Sequence, residues 1–434
     1  MAKIVYAGVQ THSFTEGAQH LEKLAEVTIP VKHVERLTRQ VGEERLTERA
    51  DQVAVWEELP LVEREQSPGS PPPAVAVVEM DGGRMQIREP NWGGTEDAAV
   101  AVPTATAPPQ VAESTSAASA AEPDAATASA ARHNHWREDK VGCLLTMTST
   151  VSATDPCPEI PAVFVDPLRA LALAQGIGKT AVPEGAPFAR AGPAAPTPAA
   201  ETTAEAQRRP SVPELEQRVI VASRANNHAF GPMLAAMAWG LGLLAATRRA
   251  FVADGASGNW TVQKTWFPRF EPILDFLHAL TYVYAAAMAG RKFAEGWPIY
   301  KEWIQRVWSG QVANVIAALT ERQHELGQPQ ASDQQGSPRQ VIHEALSYLT
   351  NNQEYMKYDE YRRQGLPLMS SYVESTVKQI NRRVKGTEKF WSEEGAEPIL
   401  QLRADYLSDT DPMAAFWQRR QKNMTGHRRY HRAA

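Results

Sequence analysis

The chain has 434 residues, more than one ordinary domain needs, and its Pro and Ala are unevenly spread, so two domains with flexible inserts are expected. A formal net charge of −5 excludes a protein that is basic overall, and with Cys143 and Cys157 alone there is neither a disulfide framework nor a paired-cysteine zinc site. No secretory leader follows Met1, and the longest apolar run, 230–246, contains Pro232 and falls short of the about 20 residues of a span, so a cytoplasmic protein without membrane contact is expected.

Residues 15–61 carry a helical period within an N-terminal segment set at 1–66. Leu21, Leu24 and Ala25 share a face, Thr28-Ile29-Pro30 breaks it, and a second helix from Val31 places Val34, Leu37, Thr38 and Val41 at spacings of three and four. With Lys32, Arg36 and Arg39 on the second helix, the pair is a candidate helix-turn-helix lying on DNA. A plain helical hairpin packed on the core is the alternative, because the turn lacks glycine and acids interleave with the bases.

A Ser/Pro/Gly linker over 65–73 leads to an apolar strand, 74–80, that stops at Asp81-Gly82-Gly83. The glycine pair and the short strand 84–89 read as a hairpin. Residues 93–131 and 182–210 are Ala/Pro-rich without apolar periodicity, and they bury too little surface to offset ordering entropy, so disordered inserts are expected there. Between them Trp136 reopens structure, 140–151 reads as a third strand and 161–174 as a helix.

Helices are expected over 214–221 and 230–246, leading into a short apolar strand that stops at Asp254-Gly255. The segment 267–284 then places Phe270, Leu274, Leu277, Thr281 and Tyr284 on one stripe, the buried face of a helix. More helix follows over 297–326, a Gln/Ser/Pro loop over 327–338 and helix again over 340–361. This order indicates an α/β domain, 74–290 and 341–408, interrupted by a helical insertion at 291–340 before its last acid.

Asp81 and Asp254 both terminate apolar strands and precede a glycine. A sheet holds such a carboxylate firmly, and the glycine lets a loop or substrate backbone approach, although a single Asp-Gly is usually just a turn. Ser370 or Ser371 can cap a third element, a helix running to Gly386, with Glu374 in its first turn and Lys378, Asn381 and Lys385 on the same stripe. Glu374 and Lys378 are also an ordinary i,i+4 pair, but the cluster of Arg382, Arg383, Lys385 and Lys389 favours a polyanion. The three acids are expected to form one metal site that cuts and joins DNA. Carboxylates are hard ligands suited to two Mg²⁺ ions, with Mn²⁺ able to substitute, and such a pair activates a nucleophile while stabilising a leaving oxygen. The tail at 409–434 carries Arg419, Arg420, Lys422, Arg428 and Arg429, and 418–432 contains no acid; it is either a phosphate-contacting arm or a solubilising terminus. Trp260, Trp266 and Trp391 are either stacking partners for an unpaired base or core residues.

The run 373–391, together with Phe251-Val-Ala-Asp-Gly-Ala256 and Ile273-Leu-Asp-Phe-Leu-His-Ala279, resembles the DDE transposases of bacterial insertion sequences, especially the ISKra type. The similarity covers most of 1–408 apart from the two inserts. It implies an RNase H-like core with a mostly helical insertion between the second and third acids, and Asp81, Asp254 and Glu374 as catalytic, metal-binding triad. Asp275 and His278 resemble the supporting Asp-x-x-His element of the Mutator-like lineage, with a surface pair as the alternative. The implied activity is metal-dependent cleavage and strand transfer on double-stranded DNA, at transposon ends and target, by a homo-oligomer associated with the nucleoid. An RNase H-like nuclease or resolvase without strand transfer, or a non-catalytic DNA-binding descendant, are the competing expectations.

Overall fold

The computed structural model describes residues 1–66, 71–88, 136–178, 180–187, 212–386 and 389–422. The 93–131 insert and residues 188–210 of the second insert lie outside them. Residues 182–187 do not follow the expectation of disorder. Phe293 donates its amide to Glu184 O at 2.9 Å, and Ala186 is buried against the core.

The N-terminal segment forms α1 (Ala2–Gln10), α2 (Phe14–Ala25), α3 (Val31–Glu58) and the single turn α4 (Leu61–Arg64). Ser13 caps α2 by accepting the Glu16 amide, and α3 buries Val34, Leu37, Thr38 and Val41, as their spacing requires. Its 28 residues also bury Arg45 and Arg49, which pair with Asp405 and Glu397 far along the chain. The core-facing side of α3 is therefore committed to packing, while Lys32 and Arg36 stay exposed.

A six-stranded sheet is built from β1 (Val75–Arg88), β2 (Trp136–Thr148), β3 (Glu214–Ser223), β4 (Arg248–Ala253), β5 (Glu271–Leu274) and β6 (Phe390–Ser392). The order is β3-β2-β1-β4-β5, with β6 paired to the last residues of β1. β2 runs antiparallel to β1 and β3, whereas β4 is parallel to β1 and β5 is parallel to β4.

Three sequence expectations change on folding. Asp81-Gly82-Gly83 is no hairpin: β1 continues through it, because β2 pairs along its whole length and Gly83 opposes Asp139. A Cβ on Gly83 would stand 2.5 Å from Asp139 Oδ2, so the glycine marks a close approach between strands. The segment 214–221, expected as a helix, is β3; its buried run Val219-Ile220-Val221 is β-branched, and so short an apolar run does not distinguish the two periods. The expected helix over 267–284 splits into β5 and α8 (Phe276–Met288), since Pro272 has no amide hydrogen for a helix interior and Asp275 caps α8 itself.

The remaining helices are α5 (Pro167–Gly176), α6 (Asn227–Gly240), α7 (Ser257–Trp266), α9 (Phe293–Trp308), α10 (Val312–Leu326), α11 (Pro338–Asn352), α12 (Tyr358–Arg363), α13 (Ser371–Val384), α14 (Glu393–Leu407) and α15 (Pro412–Lys422). α13 lies over β1 and β2, where Cys143 Sγ is 3.4 Å from Thr376 Oγ1, and α14 packs between α3 and β3. Helices α9 and α10 fall in the expected insertion. The first insertion helix packs on α8, and α11, which follows the insertion, packs there too, with Tyr348 stacked on Tyr282 at 3.7 Å between ring centroids. Among the described residues, no helix is long and apolar enough to cross a membrane.

Candidate metal centre at the strand ends

Where β1 pairs with β4, and β4 with β5, the last matched residues are Met80 with Ala253 and Ala253 with Leu274. Asp81, Asp254 and Asp275 each come one residue later. Three carboxylates therefore stand abreast, Asp81 within β1 and Asp254 and Asp275 just past the ends of β4 and β5, on neighbouring strands spaced by roughly 4.8 Å.

Each is fixed differently. Asp81 Oδ1 accepts the Gly82 amide at 2.7 Å. Asp254 Oδ1 accepts the Ala256 amide at 3.0 Å and Asn259 Nδ2 at 2.9 Å, while its carbonyl accepts the Tyr348 hydroxyl at 2.6 Å. The chain turns away at Gly255, whose φ of +92° favours glycine. Asp275 is 0% exposed: Oδ1 accepts the amides of Leu277 and His278, capping α8, and Oδ2 accepts the amide and hydroxyl of Ser370.

Ser370 is the N-cap of α13, as expected, yet its side chain makes no bond to its own helix because it is given to Asp275. The amide of Val373 is met instead from the sheet, by Glu79 Oε2 at 2.7 Å. Two sheet acids thus hold the first turn of α13, the turn that carries Glu374. The helix ends at Val384 rather than Gly386.

As a result Asp275, His278 and Glu374 each place one ligand atom within 4.8 Å of the others, the only such group among the described residues. Of the three expected ligands, this group contains Glu374 alone. Asp81 and Asp254 lie outside the group, beside it, because α13 is tied to β5 through Ser370 and brings Glu374 toward Asp275. His278 is half-buried against a buried Asp275, its Nδ1 3.6 Å from Asp275 Oδ1, so the two are not an exposed surface pair.

The charges answer one another across the whole cluster. Burial, with Asp254 and Asp275 nearby, pushes Asp81 up to about 6 against the Gly82 amide and His278. Burial, with Asp275 beside it, raises Glu374 against His278 and Lys378. Burial alone would lower His278, but Asp275, Asp254 and Glu374 outweigh it and push the imidazole up to about 9. Asp275 stays below the ordinary carboxylate range despite its burial, because His278 and Ser370 stabilise its charge.

Crowded carboxylates with raised values suit a divalent cation, which would relieve their repulsion. Among the described residues Glu374 Oε1 and His278 Nδ1 are buried and without a hydrogen-bond partner, so donor atoms are left over for one. A carboxylate-rich set fits Mg²⁺ or Mn²⁺, and the imidazole is a donor that Mn²⁺ accepts more readily than Mg²⁺.

Two acids were missed in the sequence. Glu79, two residues before Asp81, and Asp139 opposite Gly83 are both 0% exposed. Among the described residues Glu79 Oε1 and both oxygens of Asp139 find no partner, and burial pushes Asp139 up to about 6. An acid inside the apolar run 74–80 was the available signal for Glu79.

The expected DNA-binding residues divide. Lys378, Arg382 and Lys385 are exposed along α13 and its end, and Asn381 is half-buried. Arg383 is 4% exposed, donates to Gly8 O, and lies 4.5 Å from the Phe14 ring centroid and 4.9 Å from that of Trp391. It is placed to hold α1 and α2 onto α13, not to meet a phosphate. Arg419 and Arg420 pair with Glu48 and Glu44 of α3 at 2.7 and 2.8 Å, and Lys422 is exposed at the end of α15. Arg428 and Arg429 lie outside the described residues. Trp260 is core, donating to Asn352 Oδ1; Trp266 packs near Trp56, and Trp391 stacks with Arg383.

No family model matches the chain, and no curated protein matches it.

Proposed function

We propose that the chain is a DDE transposase of RNase H-like fold, cutting and joining DNA at the ends of an insertion sequence. The observation that carries this reading is that Asp81 in β1 and Asp254 just past the end of β4 stand side by side on adjacent parallel strands, with Glu374 brought near them by a helix that packs on β1 and β2. The strand order, three antiparallel strands continued by two parallel ones, supports the RNase H-like assignment, as does the helical insertion between the second and third acids.

Asp81, Asp254 and Glu374 would hold Mg²⁺ or Mn²⁺, with Asp275 and His278 completing the set on the β5 side. Bound there, the ions supply activation of an attacking oxygen and charge neutralisation at the leaving oxygen of a phosphodiester. The chain's own part is to fix the acids on a rigid frame and to orient the His278 imidazole beside Asp275. Lys378, Arg382 and Lys385 offer cations to the DNA backbone beside the acids. The partners are double-stranded DNA, as transposon ends and target, and further copies of the chain that bring two ends together, acting at the nucleoid.

The test is cleavage of a supercoiled plasmid carrying the DNA that flanks the gene, with Mg²⁺, by the full chain and by Asp254→Asn. Cleavage by the wild type and none by the variant, with DNA binding retained, is expected; equal cleavage by both overturns the assignment. Pre-cut ends offered with target DNA distinguish a joining enzyme from a nuclease that only cuts.

A further inference from the structure

We infer that Glu79 is a positioning residue that sets the separation between Asp81 and Glu374 by capping, from the sheet, the helix that carries Glu374. This rests on the reading that Asp81 and Glu374 share divalent ions.

An α-helix leaves its first amides without internal partners, and a Ser at the N-cap ordinarily supplies one. In α13 that Ser is diverted to Asp275, so its usual contribution is missing. Glu79 replaces it: Oε2 accepts the Val373 amide at 2.7 Å from a side chain that is 0% exposed. Glu79 and Asp81 are two apart on β1 and therefore project from the same face of the strand. Val373 and Glu374 are consecutive on α13. One hydrogen bond thus joins the immediate neighbours of two proposed ligands, one on the sheet and one on the helix.

A buried carboxylate is a costly means of satisfying one amide, since water or an apolar first turn facing solvent would do as well. Its value lies in location: the amide it fixes is adjacent to Glu374, and its other oxygen finds no partner among the described residues. Glu79 itself holds no ion. Its task is to keep α13 from sliding along or lifting off β1.

The test compares Mn²⁺ binding by calorimetry for the full-length wild type, Glu79→Gln, Glu79→Leu and Glu374→Gln. Gln keeps an acceptor for Val373 and is expected to bind Mn²⁺ within about twofold of wild type, whereas Leu, folded but without the acceptor, is expected to bind about tenfold or more weakly. In DNA cleavage the Leu variant should lose kcat with KM for DNA unchanged, since no DNA contact is removed. A folded Leu variant with wild-type affinity overturns the inference. So does a Gln variant as weak as Glu374→Gln, which would make Glu79 a ligand, and this second outcome decides the matter even if the Leu variant does not fold. Failure of the wild type to bind Mn²⁺, or of Glu374→Gln to weaken it, overturns instead the shared-ion reading, and the inference falls with it.

Discussion

The Ser370 hydroxyl donates to Asp275 Oδ2, so the residue that begins α13 spends its side chain on the end of β5. The bond and the accompanying amide contact, 2.6 Å, make the position of Glu374 depend on a strand three places from β2 in the sheet. Ser370→Ala keeps the amide contact and removes one buried hydrogen bond to a charged acceptor. A loss of about 1.5–3 kcal/mol in stability is expected, read from the denaturant midpoint. Mn²⁺ affinity should fall with it.

Gly255 joins Asp254 to α7 with φ +92°, and a Cβ there would stand 2.9 Å from Leu274 Cδ1 and 3.0 Å from Tyr348. Both neighbours belong to the site's frame, since Tyr348 holds the Asp254 carbonyl. Gly255→Ala therefore combines backbone strain with a clash, at a cost of roughly 1–3 kcal/mol. A lowered thermal midpoint is expected, and an unchanged one would mean that the turn can relax without disturbing β4.

How far the sequence reveals this arrangement depends on the range of each signal. Asp81, Asp254 and Glu374 are legible because each stands where a local pattern stops: an apolar run ending in Asp-Gly, or a capped helix opening. The whole length of β1 is not, since Gly82-Gly83 suggests a turn whether or not a partner strand continues past it, and only Asp139 across the sheet explains the glycine. β5 is hidden because four residues, Glu271–Leu274, are too few for a period and their apolar members also fit the helix after them. The helical pattern therefore absorbs Asp275, which in fact stands at the strand end and caps α8. Arg383 looks like its basic neighbours; its burial depends on Phe14 and Gly8, which no local pattern brings near.

The placement of the α13 cations separates structural from binding roles. Arg383→Ala removes hydrogen bonds to Gly8 O and two aromatic contacts, and a loss of about 1.5–3 kcal/mol in stability is expected. Lys378→Ala and Arg382→Ala, at exposed positions, should leave the thermal midpoint within experimental scatter. Each should instead weaken DNA binding and flatten the dependence of log K on log salt by about 0.9. Binding isotherms at several salt concentrations check this, and slopes identical to wild type would remove α13 from the DNA interface.

Proton linkage at the strand ends has a definite sign. Asp81 rises from 3.8 to about 6 on folding, so the native state binds the extra proton, and the metal-free protein loses stability as pH climbs through that interval. His278 rises from 6.5 to about 9; its contribution is complete below 6.5 and is lost as pH passes through about 9. Asp275 is lowered instead, and its contribution is lost only below the ordinary carboxylate value, outside both windows. Asp81→Asn, which cannot ionise, should therefore gain thermal stability over wild type more at pH 8 than at pH 4 when no metal is present. Mn²⁺ should reverse this at pH 8, stabilising the wild type and leaving the variant little changed, because the ion neutralises the buried carboxylate that is ionised at that pH and that the variant lacks. Scanning calorimetry of both proteins at the two pH values, with and without Mn²⁺, reads all four states. A wild type whose midpoint ignores Mn²⁺ at pH 8 would separate the raised carboxylates from any role in holding a cation.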